Sequence, residues 1–388
     1  MSTRQSAVIG LLALLAVALA IWAMNSRAPQ RDVGLQGPLL IDLKAQLNAV
    51  REVKIIGAAN TTLATIDRAE DGWKLRERNG YPVDAGKLRG LLIALADARR
   101  VEAKTANPAM HDRLAVEDVA GEKAQGVAVE ISSAGPTVRV IVGENNARGK
   151  GTYVRLDGEA TSWLVDTNIA VERRPVEWLQ RELVHLPTAR IASVEVIPAT
   201  GEPIRIAREK GLAGDFRVQN MPRGREPQSE FVADATAGLL DSLQFDDVAA
   251  VDALPQPAEG VRVARFRSNE GLTVSLHAWQ ANGKTYGRFE AKLDAEAATA
   301  WATAPPVLPV ASPAAPPVEA ATAEADAGQN AAALSSSQPA ESAETRLATL
   351  RAELETMQKR FANRVFELPA LKAASLNRGS EDYLKPKA

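Results

Sequence analysis

The chain has 388 residues, of which 46% are apolar and 24% charged, enough for two or three domains with real cores. Lys plus Arg number 46 and Asp plus Glu 48, a formal net charge of −2, which argues against a protein built for nucleic acid. Cysteine is absent, which excludes disulfides, thiolate metal sites and cysteine nucleophiles, and aromatics at 4% leave little for a stacking platform.

Residues 1–6 are a short head before an uncharged apolar run over 7–24, which includes Ala7, Leu12, Leu15, Leu19, Trp22 and Met24. As a helix this run reaches roughly 27 Å, close to the hydrocarbon thickness of a bilayer. Arg4 precedes it and Arg27 and Arg31 follow, so the charge bias is weak and orientation rests on the head staying cytoplasmic. Ala18-Leu19-Ala20 offers a signal-peptidase-like site, but Ile21-Trp22-Ala23 prolong the apolar run beyond it. An uncleaved single-pass anchor fits better than a cleaved signal, and it exports the remaining chain.

Residues 25–49 read as a stalk followed by a short amphipathic helix over Leu39 to Val50. A first α+β unit then covers 50–186. Val53 to Ile56 and Thr62 to Ile66 read as strands, Asp71-Gly72 as a turn and Trp73 to Leu75 as a further strand. Asp84 is placed to cap a helix whose buried stripe is Leu88, Leu91, Leu92 and Leu95. Val127, Val129 and Ile131 alternate with Ala128 and Glu130, and Val138, Val140 and Val142 repeat the period, which predicts a hairpin with one buried face. Tyr153 to Leu156 and Trp163 to Val165 extend the sheet, and Pro175 to Leu183 is expected to close the unit as a helix.

The same order recurs in 187–388. Val194 to Ile197 parallels Val53 to Ile56, Phe216 to Val218 parallels Trp73 to Leu75, and Gly283 to Tyr286 parallels Lys150 to Tyr153. The fold class expected is therefore α+β: a transmembrane helix, then two tandem homologous units with mainly antiparallel sheets. The second unit is interrupted at about 303–344 by an Ala/Pro/Ser/Glu-rich stretch with too few large apolar groups to order itself, expected to be disordered. It resumes with a helix and a closing strand, Arg364 to Leu368, in the place of Ser162 to Val165.

Several stretches, in order, resemble the bacterial family known as domain of unknown function 4340: Pro38 to Val50, Asp71-Gly72-Trp73, Gly80 to Asp84, Ala106-Asn107-Pro108, Arg113 to Asp118, Ser162 to Val165 and Pro175 to Leu179. The resemblance implies a membrane-anchored protein facing the periplasm, with genes often beside gliding-motility-type ABC transporters. It implies an accessory of such a transport or envelope system, and it brings no catalytic residues.

The residues themselves offer little chemistry. His111, His185 and His277 are far apart, so no metal cluster is expected. No G-x-S-x-G pentapeptide occurs, and Gly149-Lys150-Gly151 reads as a hairpin loop and not a phosphate cradle. The neighbours Asp246 and Asp247 make a poor acid–base couple on an extended chain. Two interaction candidates stand out. The loop around Arg223 and Arg225 is a candidate contact for anionic glycan or lipid headgroups, and Leu347, Leu350, Leu354, Met357 and Phe361 make an a/d seam for docking onto a partner or packing on the chain's own unit. The expectation is a non-enzymatic, single-pass inner-membrane scaffold without cofactors, whose partners are the bilayer and an ABC-type permease or other envelope protein. The alternative is an envelope glycan- or lipid-binding module.

Overall fold

The computed structural model describes residues 37–208, 215–229, 231–305 and 342–385. They form a mixed α+β protein with antiparallel sheets, divided into two compact units between Leu179 and Gln180. The expected anchor over 7–24 lies outside the described residues, as do 306–341, the body of the expected insertion. Among the described residues no helix is long and apolar enough to cross a membrane.

The first unit opens with α1 (Leu43–Gln46), shorter than the expected helix and continued by a single 3₁₀ turn over Leu47–Ala49. Its strands are β1 (Glu52–Ile56), β2 (Thr62–Ala69), β3 (Gly72–Leu75), β4 (Tyr81–Pro82), β5 (Arg100–Thr105), β6 (Val127–Ser132), β7 (Val138–Asn145), β8 (Thr152–Leu156) and β9 (Ser162–Val165). They lie in the order β4-β3-β2-β1-β6-β7-β8-β9-β5. Alternation sets the register: Val53 faces Ile66 and Ile131, Ile55 faces Ala64 and Val129, and Val140 faces Val129. These side chains form one buried face. Helix α2 (Ala85–Asp97) adds Leu88, Leu91, Leu92 and Leu95 to the core. The Asp84 carboxylate caps α2 by accepting from the Gly86 and Lys87 amides at 2.9 and 3.1 Å.

The opposite face of this sheet is split. At one end Ile56, Ala128 and Ile141 pack with Val116 and Val119 in a second core, so the 106–126 connection covers it. The chain crosses the sheet closely there: a Cβ on Gly143 would sit 2.1 Å from the Leu114 carbonyl oxygen, and one on Gly126 2.2 Å from that of Ala115. At the other end the face carries balanced ions. Lys54 meets Glu52 at 3.0 Å, and Arg76 bridges Glu52 at 3.0 Å and Asp67 at 2.7 Å.

The second unit contains β10 (Glu182–Val184), β11 (Ile191–Ile197), β12 (Ile204–Arg208), β13 (Phe216–Val218), α3 (Val232–Ala237), β14 (Leu243–Gln244) and β15 (Asp247–Ala250). There follow β16 (Arg262–Ser268), β17 (Leu272–Ala281), β18 (Lys284–Leu293), α4 (Ala295–Thr303), α5 (Ala343–Phe361), β19 (Arg364–Leu368) and α6 (Ala370–Leu376). β10 pairs with β14, and the large sheet runs β13-β12-β11-β16-β17-β18-β19-β15. That is the strand order of the first sheet with β4 left out. Asn282-Gly283 joins β17 to β18 in two residues, both at positive φ, which suits the right-handed twist of a hairpin.

One expected element is corrected. Pro175 to Leu183 is not a helix but one 3₁₀ turn, Pro175–Trp178, followed by β10. Competing pairings take these residues: Leu179 bridges Val83, the Asp84 amide donates to the Trp178 carbonyl, and β10 pairs with β14. Three apolar residues at helical spacing are too few to outweigh them.

Candidate functional site

The first described residues build a groove in the first unit. Gly37 to Leu39 lie along the start of β5: the Leu39 amide donates to the Ala98 carbonyl at 2.8 Å and the Arg100 amide to the Gly37 carbonyl at 3.0 Å. Leu39 and Leu40, just before α1, and Leu43 at its start are buried. Ser133 Oγ donates to Gln46 Oε1 at 2.5 Å and ties α1 to the β6–β7 turn. Between these pieces lies an open groove of about 500 Å³, lined by Ile41, Asp42, Arg100, Ser133, Arg139 and Glu159 among others.

Its chemistry is mixed. Ile41 is 80% exposed, an aliphatic side chain held in water by the burial of its neighbours. Arg100 reaches Glu159 Oε1 at 3.7 Å and lies 5.0 Å from the Trp163 ring centroid. The Nε atoms of Arg100 and Arg139 are buried without a hydrogen-bond partner. A buried orphan donor is costly. The arrangement suits a chain segment that brings carbonyl or carboxylate oxygens beside an apolar side chain. It contains no nucleophile–base pair.

The structure separates the other residues singled out in the sequence. His111 is buried, its Nε2 3.0 Å from the Ala160 carbonyl oxygen. His185 is exposed beside Ser242 and Asp241. His277 stands on β17, on the face opposite buried Leu276. Gly149-Lys150-Gly151 is the β7–β8 connection. Asp246 pairs with Arg181 at 3.2 Å, and Asp247 opens β15. Among the described residues no three or more His, Asp or Glu side chains gather as a metal site would need.

The two interaction candidates are changed by their surroundings. Arg225 donates to Glu381 Oε2 at 3.0 Å and to the Lys385 carbonyl at 2.7 Å, which leaves Arg223 as the exposed cation of that loop. The a/d seam of α5 packs on its own unit. Leu350, Met357 and Phe361 are buried, Leu347 and Leu354 are half-buried, and the Phe361 ring lies 5.3 Å from that of Phe289 on β18. The 3-4 spacing that marks a coiled-coil seam also marks a helix lying on a sheet.

An ion cluster not anticipated from the sequence fixes α5. Arg190 donates through Nε to Glu270 at 2.9 Å and through both terminal nitrogens to Glu353 at 2.9 Å. Burial works against the Arg190 charge, but the hydrogen bonds and charges of Glu353 and Glu270 outweigh it and raise its pKa. Its members lie far apart in sequence, with no spacing to flag them.

Residues 73–262 match the family model of a domain of unknown function, DUF4340. The chain thus resembles that family from β3 through the start of β16, across both units. The similar stretch Pro38 to Val50 precedes the match and the end of the second unit follows it. No curated protein and no solved structure matches the chain.

Proposed function

From that resemblance and from the groove, we propose that the chain is a single-pass, membrane-anchored, non-catalytic scaffold, held in the inner membrane by 7–24 with its bulk in the periplasm. In this proposal it serves as an accessory subunit of an ABC-type transport or envelope system. The observation that carries the proposal is the groove at the entry of the first unit. Only twelve residues, 25–36, separate the apolar run from Gly37, a reach of at most about 45 Å. A periplasmic loop of a membrane-embedded permease is the partner such a site would meet. Ile41 supplies the apolar contact, and Arg100 and Arg139 receive its oxygens.

The shared strand order of the two sheets supports a further element of the proposal, that the units arose as tandem copies. The alternative of a headgroup-binding loop at Arg223 and Arg225 is less well supported, because Arg225 is engaged by the C-terminal segment.

The test is affinity purification of the full, detergent-solubilised chain from its native membrane. A polytopic permease should co-purify, and Ile41→Glu should cut its recovery at least tenfold with the fold intact, since Ile41 contributes little to the core. Stringent purification that recovers no membrane protein overturns the proposal. So does a C-terminal reporter that is active only in the cytosol.

A further inference from the structure

Strand alternation in the second unit turns one set of side chains to the core and the other to solvent. On the core side stand Val194, Ile206, Ala264, Phe266, Val274 and Leu276, all buried. On the solvent side the register aligns Arg205, Glu195, Arg265, Ser275 and Glu290 in one row across β12, β11, β16, β17 and β18. A parallel row holds Ser193, Arg267, Thr273 and Lys292. Arg288 stands two residues from Glu290 on the same face. The connection that covers the corresponding face of the first unit, 106–126, is matched here by 251–261, about half as long and mostly exposed.

The charges do not cancel. Glu195 is shared by Arg205 at 3.4 Å and Arg265 at 3.1 Å, and Glu290 by Arg288 at 3.9 Å and Lys292 at 4.0 Å. Arg267 is exposed and has no carboxylate beside it in its row. A hollow of about 270 Å³ opens beside Arg205, Arg265, Arg267, Gln219 and the Glu195 carboxylate that engages the first two. We infer that this cationic sheet face docks on the surface of an anionic lipid bilayer.

Charge and shape favour a bilayer over a protein. Protein interfaces are anchored by buried aromatic and aliphatic side chains, and the exposed large apolar residues among those described, Ile41, Ile93, Met110, Phe231 and Leu371, all lie elsewhere. A face on which five cations outnumber the carboxylates of Glu195 and Glu290 needs no such anchor against a sheet of phosphates. Near an anionic membrane each Lys or Arg strengthens association roughly fivefold. A phosphate headgroup in the hollow meets Arg267 and competes with Glu195 for Arg205 and Arg265. His277 sits amid this field: burial, with Arg288, Arg265 and Lys292, lowers its pKa against the pull of Glu290. Bound phosphates reverse the sign of that field.

The inference deepens the membrane placement proposed above and rests on it, since an anchored chain holds the face at high local concentration near lipid. The chain lacks cysteine, so Ser275→Cys gives a single nitroxide at the centre of the face and Thr299→Cys an exposed control on α4. The full chain is reconstituted into nanodiscs of phosphatidylcholine alone or mixed with phosphatidylglycerol. Alkali-resistant retention in the disc tests the anchor separately. A water-soluble nickel relaxant should reach the Ser275→Cys label several-fold less in the anionic discs, the Thr299→Cys label equally in both. Protection should vanish in high salt or with R265E/R267E. Equal accessibility in the two lipids overturns the inference, as does protection that survives charge reversal. Protection by added polyglutamate but not by anionic lipid overturns it in favour of an acidic protein partner.

Discussion

Two sheets with one strand order treat their second faces in opposite ways. In the first unit the 106–126 connection folds back over β1, β6 and β7, buries Ile56, Ala128 and Ile141 a second time, and leaves a remainder on which ions are paired. In the second unit Trp279, at the end of β17, is buried beside Tyr286 on that face, while the rest of β11, β16, β17 and β18 carries arginines and a lysine in excess over Glu195 and Glu290. The lesson is that a β-sheet of this order needs only one packed face to hold together. The other face is free for cover or for contact, and connection length decides which.

The largest losses are expected on the covered side. Ile141→Ala removes a buried group from the second core and should cost about 2–5 kcal/mol, read by urea unfolding with hydrogen exchange on β6 and β7. Gly143→Ala places a methyl against the Leu114 carbonyl oxygen and should cost about 1–3 kcal/mol, with lost protection confined to the residues around 114–116 and β7. On the open side Ser275→Ala should change stability by less than about 0.5 kcal/mol. A loss as large as that of Ile141→Ala would mean this face is packed after all.

Smaller effects sharpen the contrast. Arg267→Gln relieves repulsion among uncancelled cations and should raise the thermal midpoint slightly at low ionic strength, by a few tenths of a kcal/mol at most. The gain should disappear in high salt. The least effect is that of pH. The folded state holds the His277 pKa below its ordinary 6.5, so the unfolded chain takes the proton first and this contribution to stability is lost as pH falls through that range. On the first unit's face the hydrogen bond from Lys54 keeps the Glu52 pKa below 4.5 against burial. That contribution is present above 4.5 and is lost on further acidification. NMR titration of the three histidines should show His277 moving up toward 6.5 when Arg265 and Lys292 are neutralised.

Much of the fold was legible where period and punctuation coincided. Val127 to Ile131 and Val138 to Val142 pair in the expected hairpin, Asp84 caps α2, and Arg364 to Leu368 forms a strand of the second sheet, between β18 and β15 and not at its edge. What escaped was contact between residues with no shared period. Leu114, Val116 and Val119 sit in an irregular segment, and only the nearby Gly126 and Gly143 signal that a backbone passes close. The groove beside Ile41 depends on Gly37 to Leu39 pairing with β5, a long-range choice with no local mark. The cationic face was half visible: Arg265 and Arg267 alternate with Ala264 and Phe266, but only cross-strand register brings them level with Arg205 and Lys292.

The edges of the first sheet carry one more consequence. At one margin the incoming chain, Gly37 to Leu39, takes up hydrogen-bonding groups beside the first residue of β5. At the other, β4 is two residues long, and Pro82 brings no amide hydrogen to offer. The β4 border therefore presents no long row of vacant peptide groups to a neighbouring copy. A second copy arriving at that border finds no strand to extend toward a fibril.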